Sequence, residues 1–69
     1  MAKADYVVRL IDEAEQLSDR ICKLQAIITG YASGTLDFDP DCPLELLLQQ
    51  YSAMHQYLMV LWRRLEIEA

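Results

Sequence analysis

The most informative chemical residues in this sequence are its six cations, because they are few. Three of them, Arg9, Arg20 and Lys23, lie off the apolar stripe of a predicted first helix and close to one of its sides. Two or three cations beside a tyrosine can bind a phosphate while the aromatic ring stacks on a base. The alternative is structural, since polar side chains one turn away can pair with Arg20 and Lys23. Those neighbours are Glu13, Gln16 and Asp19.

Two further arginines, Arg63 and Arg64, lie near the end of a predicted second helix. If the two helices run antiparallel, these arginines return to the start of the first helix, beside Tyr6 and Arg9. Such an arrangement could bind a phosphate, and pairing of the cations with nearby polar side chains remains the alternative.

Histidine and cysteine give little support for catalysis. His55 is the only histidine, and its neighbours at helical spacing include no carboxylate to orient it, which favours a packed or interface histidine. Cys22 and Cys42 are too few for a disulfide framework or a zinc site. We expect reduced thiols in a cytosolic protein that is not an enzyme and has no cofactor.

The acidic segment between the helices resembles the beginning of a calcium loop. Asp37, Asp39 and Asp41 have the spacing of its first three ligands, but Cys42 and Leu48 stand where glycine and a bidentate glutamate are needed. We therefore expect a solvated loop and a helix cap, with no metal site.

Length and charge limit the remaining possibilities. The 69 residues, 54% of them hydrophobic, predict one domain over residues 1–69 with more apolar side chains than one small core can hide. A net charge of −5 and a pI near 4.5 argue against a coat for duplex DNA or RNA. We expect neither a signal peptide nor a membrane span, because the first fifteen residues are charged and residues 46–62 carry several polar side chains.

Hydrophobic periodicity predicts two helices. A heptad pattern runs through the first segment, with Gly30 as the expected stop, and a second stripe at three- and four-residue spacing follows Pro43. The predicted helices cover about residues 3–30 and about 43–67, with a linker over about 31–42. We expect Asp41 or Cys42 to cap the second helix and Pro43 to lie in its first turn.

The second helix has apolar residues beyond its stripe. They are Leu46, Leu48, Ala53, Tyr57, Val60 and Trp62. A lone hairpin would leave them in water, and a patch of that size usually marks an interface. The prediction is an all-α, antiparallel two-helix hairpin that assembles into a symmetric homo-oligomer.

Several spaced elements resemble a family of small phage proteins that includes the anti-CBASS sponges, which sequester the cyclic oligonucleotide signals of bacterial CBASS immunity. In the first helix the elements are Tyr6-x-x-Arg9-Leu10-x-Asp12-Glu13 and Leu17-x-x-Arg20-Ile21-x-Lys23-Leu24. In the second they are Leu47-Leu48-x-Gln50, Ala53-Met54, Tyr57 and Val60-Leu61-x-x-Arg64-Leu65. The resemblance covers both helices but not the linker.

This resemblance implies a non-catalytic hexamer in the cytoplasm of an infected bacterium. Members of that family hold cyclic dinucleotides in pockets between protomers, and some hold cyclic trinucleotides at separate sites in the same assembly. Lys23 is similar to the lysine that contacts phosphate in the dinucleotide pocket. Tyr6 corresponds to the aromatic that stacks on a base, with Arg9 beside it, and Arg64 to the arginine of the trinucleotide site. A twofold axis between protomers would present each group twice to a twofold-symmetric ligand.

Two other functions remain open from the residues. An acidic helical module could use the extra apolar face of its second helix to bind another protein. An acidic decoy of DNA is a weaker third hypothesis, because Arg63 and Arg64 interrupt the negative charge.

Overall fold

In the computed structural model the chain is a hairpin of two α-helices. The structure describes residues 2–68, with side chains described over residues 5–68. Helix α1 spans Ala2–Ser33 and helix α2 spans Leu44–Glu68, and the two pack against each other in an elongated body of 49 × 18 × 16 Å. The predicted domain of residues 1–69 includes residues 1 and 69, which lie outside the described part. The all-helical, hairpin prediction is confirmed.

Helix α1 ends at Ser33 and not at Gly30, so the predicted stop was wrong. The end has the hydrogen bonds of a Schellman motif: Thr35 N–H donates to the Gly30 carbonyl at 2.9 Å, and Gly34 N–H donates to that of Tyr31 at 3.3 Å. Gly34, at φ 72°, occupies the left-handed position that this motif requires. Gly30 serves close packing instead, since a Cβ there would lie 2.7 Å from Cδ2 of Leu36.

Helix α2 begins at Leu44, one residue after the expected start. The carbonyl of Pro43 accepts bonds from Leu46 N–H at 3.1 Å and Leu47 N–H at 3.5 Å, so proline precedes the first turn. Over the described residues, neither predicted cap, Asp41 or Cys42, gives the helix a side-chain hydrogen bond. Cys42 contributes its carbonyl to Tyr31 Oη at 3.4 Å, which ties the linker to the end of α1.

The core is the seam between the two predicted stripes. In α1, five heptad positions are buried, namely Leu10, Ala14, Leu17, Ile21 and Leu24. In α2, Leu58 and Leu61 are buried, and Tyr51, Met54 and Leu65 pack against the cluster. Burial of one such leucine contributes roughly 1.5–3 kcal/mol, so this seam determines the register of the hairpin.

Much of the apolar surface lies outside that seam. Over the described side chains, eleven large hydrophobic residues are exposed, against seven buried hydrophobic residues. The predicted surplus on α2 is among them, at 45–55% exposure. It comprises Leu46, Leu48, Tyr57, Val60 and Trp62. A single hairpin therefore leaves this face uncovered. Between residues 2 and 68, neither helix has the length and apolar composition needed to cross a membrane.

Candidate functional site

Two polar contacts join the helices at the end of the hairpin opposite the linker. Arg64 Nη2 donates a hydrogen bond to Tyr6 Oη, and the guanidinium carbon lies 5.5 Å from the centroid of the tyrosine ring. Tyr57 Oη donates a hydrogen bond to Glu13 Oε1. The two contacts are seven residues apart on each helix, so they belong to one antiparallel register.

These contacts border a groove of about 250 Å³, which we call the arginine groove. Its lining is Tyr6, Arg9, Leu10, Glu13 and Arg64. Leu10 is buried, and Tyr6 is 36% exposed. Arg9 Nε donates to the carbonyl of Asp5 at 3.4 Å. The groove thus combines two guanidinium groups, one carboxylate and one aromatic ring.

The contact with Glu13 makes the Tyr57 hydroxyl less acidic. The pKa of Tyr57 is raised, first by its hydrogen bond to the Glu13 carboxylate, then by reduced hydration and the negative charge of Glu13. The positive charge of Arg64 acts in the opposite direction. The protonated Tyr57 hydroxyl is thus the hydrogen-bond donor and the Glu13 carboxylate the acceptor.

Lys23 lies apart from the groove. Its Nζ is 3.1 Å from Asp19 Oδ2, in an ion pair whose side chains are 75% and 64% exposed. Seventeen residues separate Tyr6 from Lys23, about 25 Å at the rise of an α-helix. One chain therefore does not bring Lys23 to Tyr6, Arg9 and Arg64. An exposed ion pair of this kind is weak and can exchange for a ligand phosphate.

Three of the four residues that the resemblance distributed over two sites, Tyr6, Arg9 and Arg64, share one groove within the chain. Arg64 lies against Tyr6 and shares the groove with Arg9. Arg63 instead lines an apolar groove of about 390 Å³, whose other residues are Met59, Val60, Arg64 and Ile67.

Sequence reasoning missed Glu13 as a groove residue and Tyr57 as its hydrogen-bond partner. It considered Glu13 only as a partner for Arg20 or Lys23, but Lys23 pairs with Asp19 and Glu13 accepts from Tyr57. Gln16, another proposed partner, donates to Asp12 at 2.9 Å. The helix register could have revealed this pair. Glu13 lies seven residues after Tyr6, and Tyr57 lies seven residues before Arg64. An antiparallel hairpin that brings Tyr6 to Arg64 therefore also brings Glu13 to Tyr57.

The other chemical residues do not join the groove. His55 Nε2 lies 3.2 Å from Tyr51 Oη, with the ring centroids 4.9 Å apart. Cys22 is exposed and Cys42 half-buried, and both are free thiols. Within the described residues, no three metal-ligating side chains come together, the acidic linker included.

A family model described as Sequestin matches residues 4–67, almost the whole chain. Neither the curated proteins nor the solved structures gave a match.

Proposed function

Because the chain belongs to the Sequestin family, we propose that it is a non-catalytic protein that sequesters cyclic dinucleotides, and cyclic trinucleotides, between the protomers of a homo-oligomer. The family name denotes sequestration, and the ligand class follows from the resemblance to the anti-CBASS sponges. Such a protein would act in the cytoplasm of an infected bacterium, where it would withdraw the signal from its receptor.

The arginine groove is the observation that carries this proposal. Guanidinium groups bind phosphate oxygens through paired, charge-assisted hydrogen bonds, and Arg9 and Arg64 supply two of them in one groove. The Tyr6 ring beside them can stack on a nucleobase. A chain with an overall charge of −5 thus has a local site suited to an anionic nucleotide.

The groove is open on one chain, and an apolar stripe runs beside it. Leu46, Ala53, Val60 and Ile67 recur every seven residues on the exposed face of α2. Tyr57 and Arg64 follow two of these residues by four positions, which places them on the same side of α2. The stripe and the arginine groove therefore share a face. A second copy packed on this stripe would cover the apolar surface and enclose the ligand. The resemblance favours a hexamer.

A twofold-symmetric assembly also accounts for the position of Lys23. Tyr6 and Lys23 are about 25 Å apart on one α1, but antiparallel pairing of two α1 helices brings Tyr6 of one protomer near Lys23 of the other. A cyclic dinucleotide has two phosphates and two bases, and such a site would offer two copies of each contact. In the proposed site, Tyr6 from one chain and Lys23 from the other chain therefore act together on the ligand.

One observation favours a second function. The apolar groove beside Met59 and Val60 could hold a helix of another protein, as expected of an acidic interaction module. That function leaves the paired arginines and Tyr6 without a role. A closed homo-oligomer that does not bind a hydrophobic dye would count against it.

Titration calorimetry tests the proposed function. Wild-type protein is titrated with cyclic di-AMP, cyclic di-GMP, the mixed cyclic AMP–GMP dinucleotide and cyclic tri-AMP, at low and moderate salt. We expect binding at about one dinucleotide per two chains, weaker at higher salt because the contacts are ionic. Arg9→Gln should weaken binding at least about tenfold. Arg20→Gln makes the same charge change outside the groove and should bind like wild type. Absence of heat with every ligand would overturn the proposal.

A further inference from the structure

We propose that Glu13 selects guanine over adenine in the bound nucleotide, by accepting hydrogen bonds from the guanine edge. This inference rests on the proposed function, since it concerns the base of a nucleotide held in the arginine groove. It assigns a role to the one carboxylate that lines the groove.

The position of Glu13 suits a contact with the base and not with the phosphates. Tyr6, Arg9 and Glu13 follow one another at three- and four-residue spacing and so lie on one face of α1. Glu13 is about 10 Å beyond Tyr6 along the axis. Both side chains line the arginine groove, so a base stacked on Tyr6 and extending along α1 would meet the Glu13 carboxylate.

Hydrogen-bond chemistry then discriminates between the purines. An ionised carboxylate only accepts hydrogen bonds, through two oxygens with about four lone-pair positions. Guanine presents N1–H and N2–H side by side, so one carboxylate accepts both. Adenine presents a single N6–H beside the lone pair of N1, which a carboxylate repels.

The Tyr57 contact orients the carboxylate for this task. Tyr57 donates to Oε1 of Glu13, which leaves Oε2 and a further lone pair of Oε1 free. The pKa of Tyr57 is raised by this contact, so the hydroxyl remains a donor across the neutral range and above it. Tyr57 is thus a positioning residue, and Glu13 is the residue that would touch the ligand.

The alternative is that Glu13 only joins the two helices. Two variants separate the roles. Glu13→Gln can still accept a hydrogen bond from Tyr57, but its amide offers one acceptor and one donor, which matches adenine. Tyr57→Phe removes the interhelix hydrogen bond but retains the carboxylate, now without its positioning contact.

The test measures the affinities of cyclic di-GMP and cyclic di-AMP for wild type, Glu13→Gln and Tyr57→Phe by titration calorimetry. We expect wild type to prefer cyclic di-GMP by about tenfold or more, Glu13→Gln to lose or reverse this preference, and Tyr57→Phe to keep its direction. Equal affinities of wild type for the two ligands, or an unchanged affinity ratio in Glu13→Gln, would overturn the role of Glu13 but not the proposed function. Binding of neither ligand by wild type would instead overturn the proposed function, and with it this inference.

Discussion

Arg64 and Tyr6 are 58 residues apart in sequence, yet the guanidinium of one donates a hydrogen bond to the hydroxyl of the other across the hairpin. The contact joins Arg64, a candidate phosphate-binding residue, to Tyr6, whose ring is the candidate for stacking on a base. It forms only when α2 returns antiparallel to α1 in the observed register. The geometry of the arginine groove therefore depends on the leucine seam that aligns the helices.

Substitution of Arg64 should affect ligand binding more than folding. Arg64→Ala removes a cation from the groove and the hydrogen bond to Tyr6, so we expect cyclic dinucleotide affinity to fall by about tenfold or more, as measured by calorimetry. Arg63→Ala is the matched control, since Arg63 carries the same charge at the next position but lies outside the arginine groove. Equal losses in the two variants would show that net charge, and not the groove, determines affinity.

Lys23 should be needed for binding but not for assembly. Its side chain is 75% exposed and its only partner over the described residues is Asp19, so Lys23→Ala leaves the core intact. We expect the loss of cyclic dinucleotide binding with an unchanged mass by light scattering. If Lys23→Ala binds as well as wild type, its assignment to the ligand site is wrong.

A mixing experiment locates Lys23 and Tyr6 relative to the protomers. Each contact pair is proposed to combine Tyr6 of one chain with Lys23 of another. Tyr6→Ala and Lys23→Ala proteins, each inactive alone, should therefore regain part of the binding after they are unfolded and refolded together. No recovery in a verified mixed oligomer would show that Tyr6 of one chain and Lys23 of another do not form one ligand site.

The Tyr57–Glu13 contact should make stability depend on alkaline pH. The folded protein raises the pKa of Tyr57 above the unfolded value of about 10. The contribution of this contact is fully present below that unfolded pKa and is lost as the pH rises through the folded pKa. We expect denaturant melts to show a smaller alkaline loss of stability in Tyr57→Phe than in wild type. An identical pH profile for both proteins would exclude this contribution.

Another prediction concerns the hydrophobic core, in which Leu61 is fully buried. Leu61→Ala should lower the free energy of unfolding by about 2–5 kcal/mol, through lost burial and the cavity that remains. Val8→Ala, at an exposed position of α1, should change it by at most about 0.5 kcal/mol. Urea denaturation followed by circular dichroism at fixed protein concentration measures both. A small effect at Leu61 would contradict the packing of the hairpin.

The heptad spacing was sufficient to predict both helices and their buried faces, because burial at positions such as Leu17 and Leu58 repeats with the helix period. The end of α1 was missed because Gly30 was interpreted from composition alone. Its real role is to accommodate Leu36, while Gly34 ends the helix. That distinction depends on the path of the linker, which periodicity does not contain.

The candidate site was only partly accessible from sequence. An antiparallel return was sufficient to place Arg64 near Tyr6. The pairing of Glu13 with Tyr57 required the register, which is determined by how Leu61 and its neighbours pack and not by any local motif. Contacts between chains, including that of Lys23, depend on an assembly that a single hairpin does not specify.

Native mass spectrometry of the wild-type protein with cyclic di-GMP tests the central claim most directly, because it counts chains and ligands in the same particle. The account predicts a closed homo-oligomer, a hexamer by resemblance, that gains about one dinucleotide per two chains, while any monomer present carries none. Ligand bound to monomer, or an oligomer that gains no ligand from any cyclic nucleotide tested, would contradict sequestration between protomers.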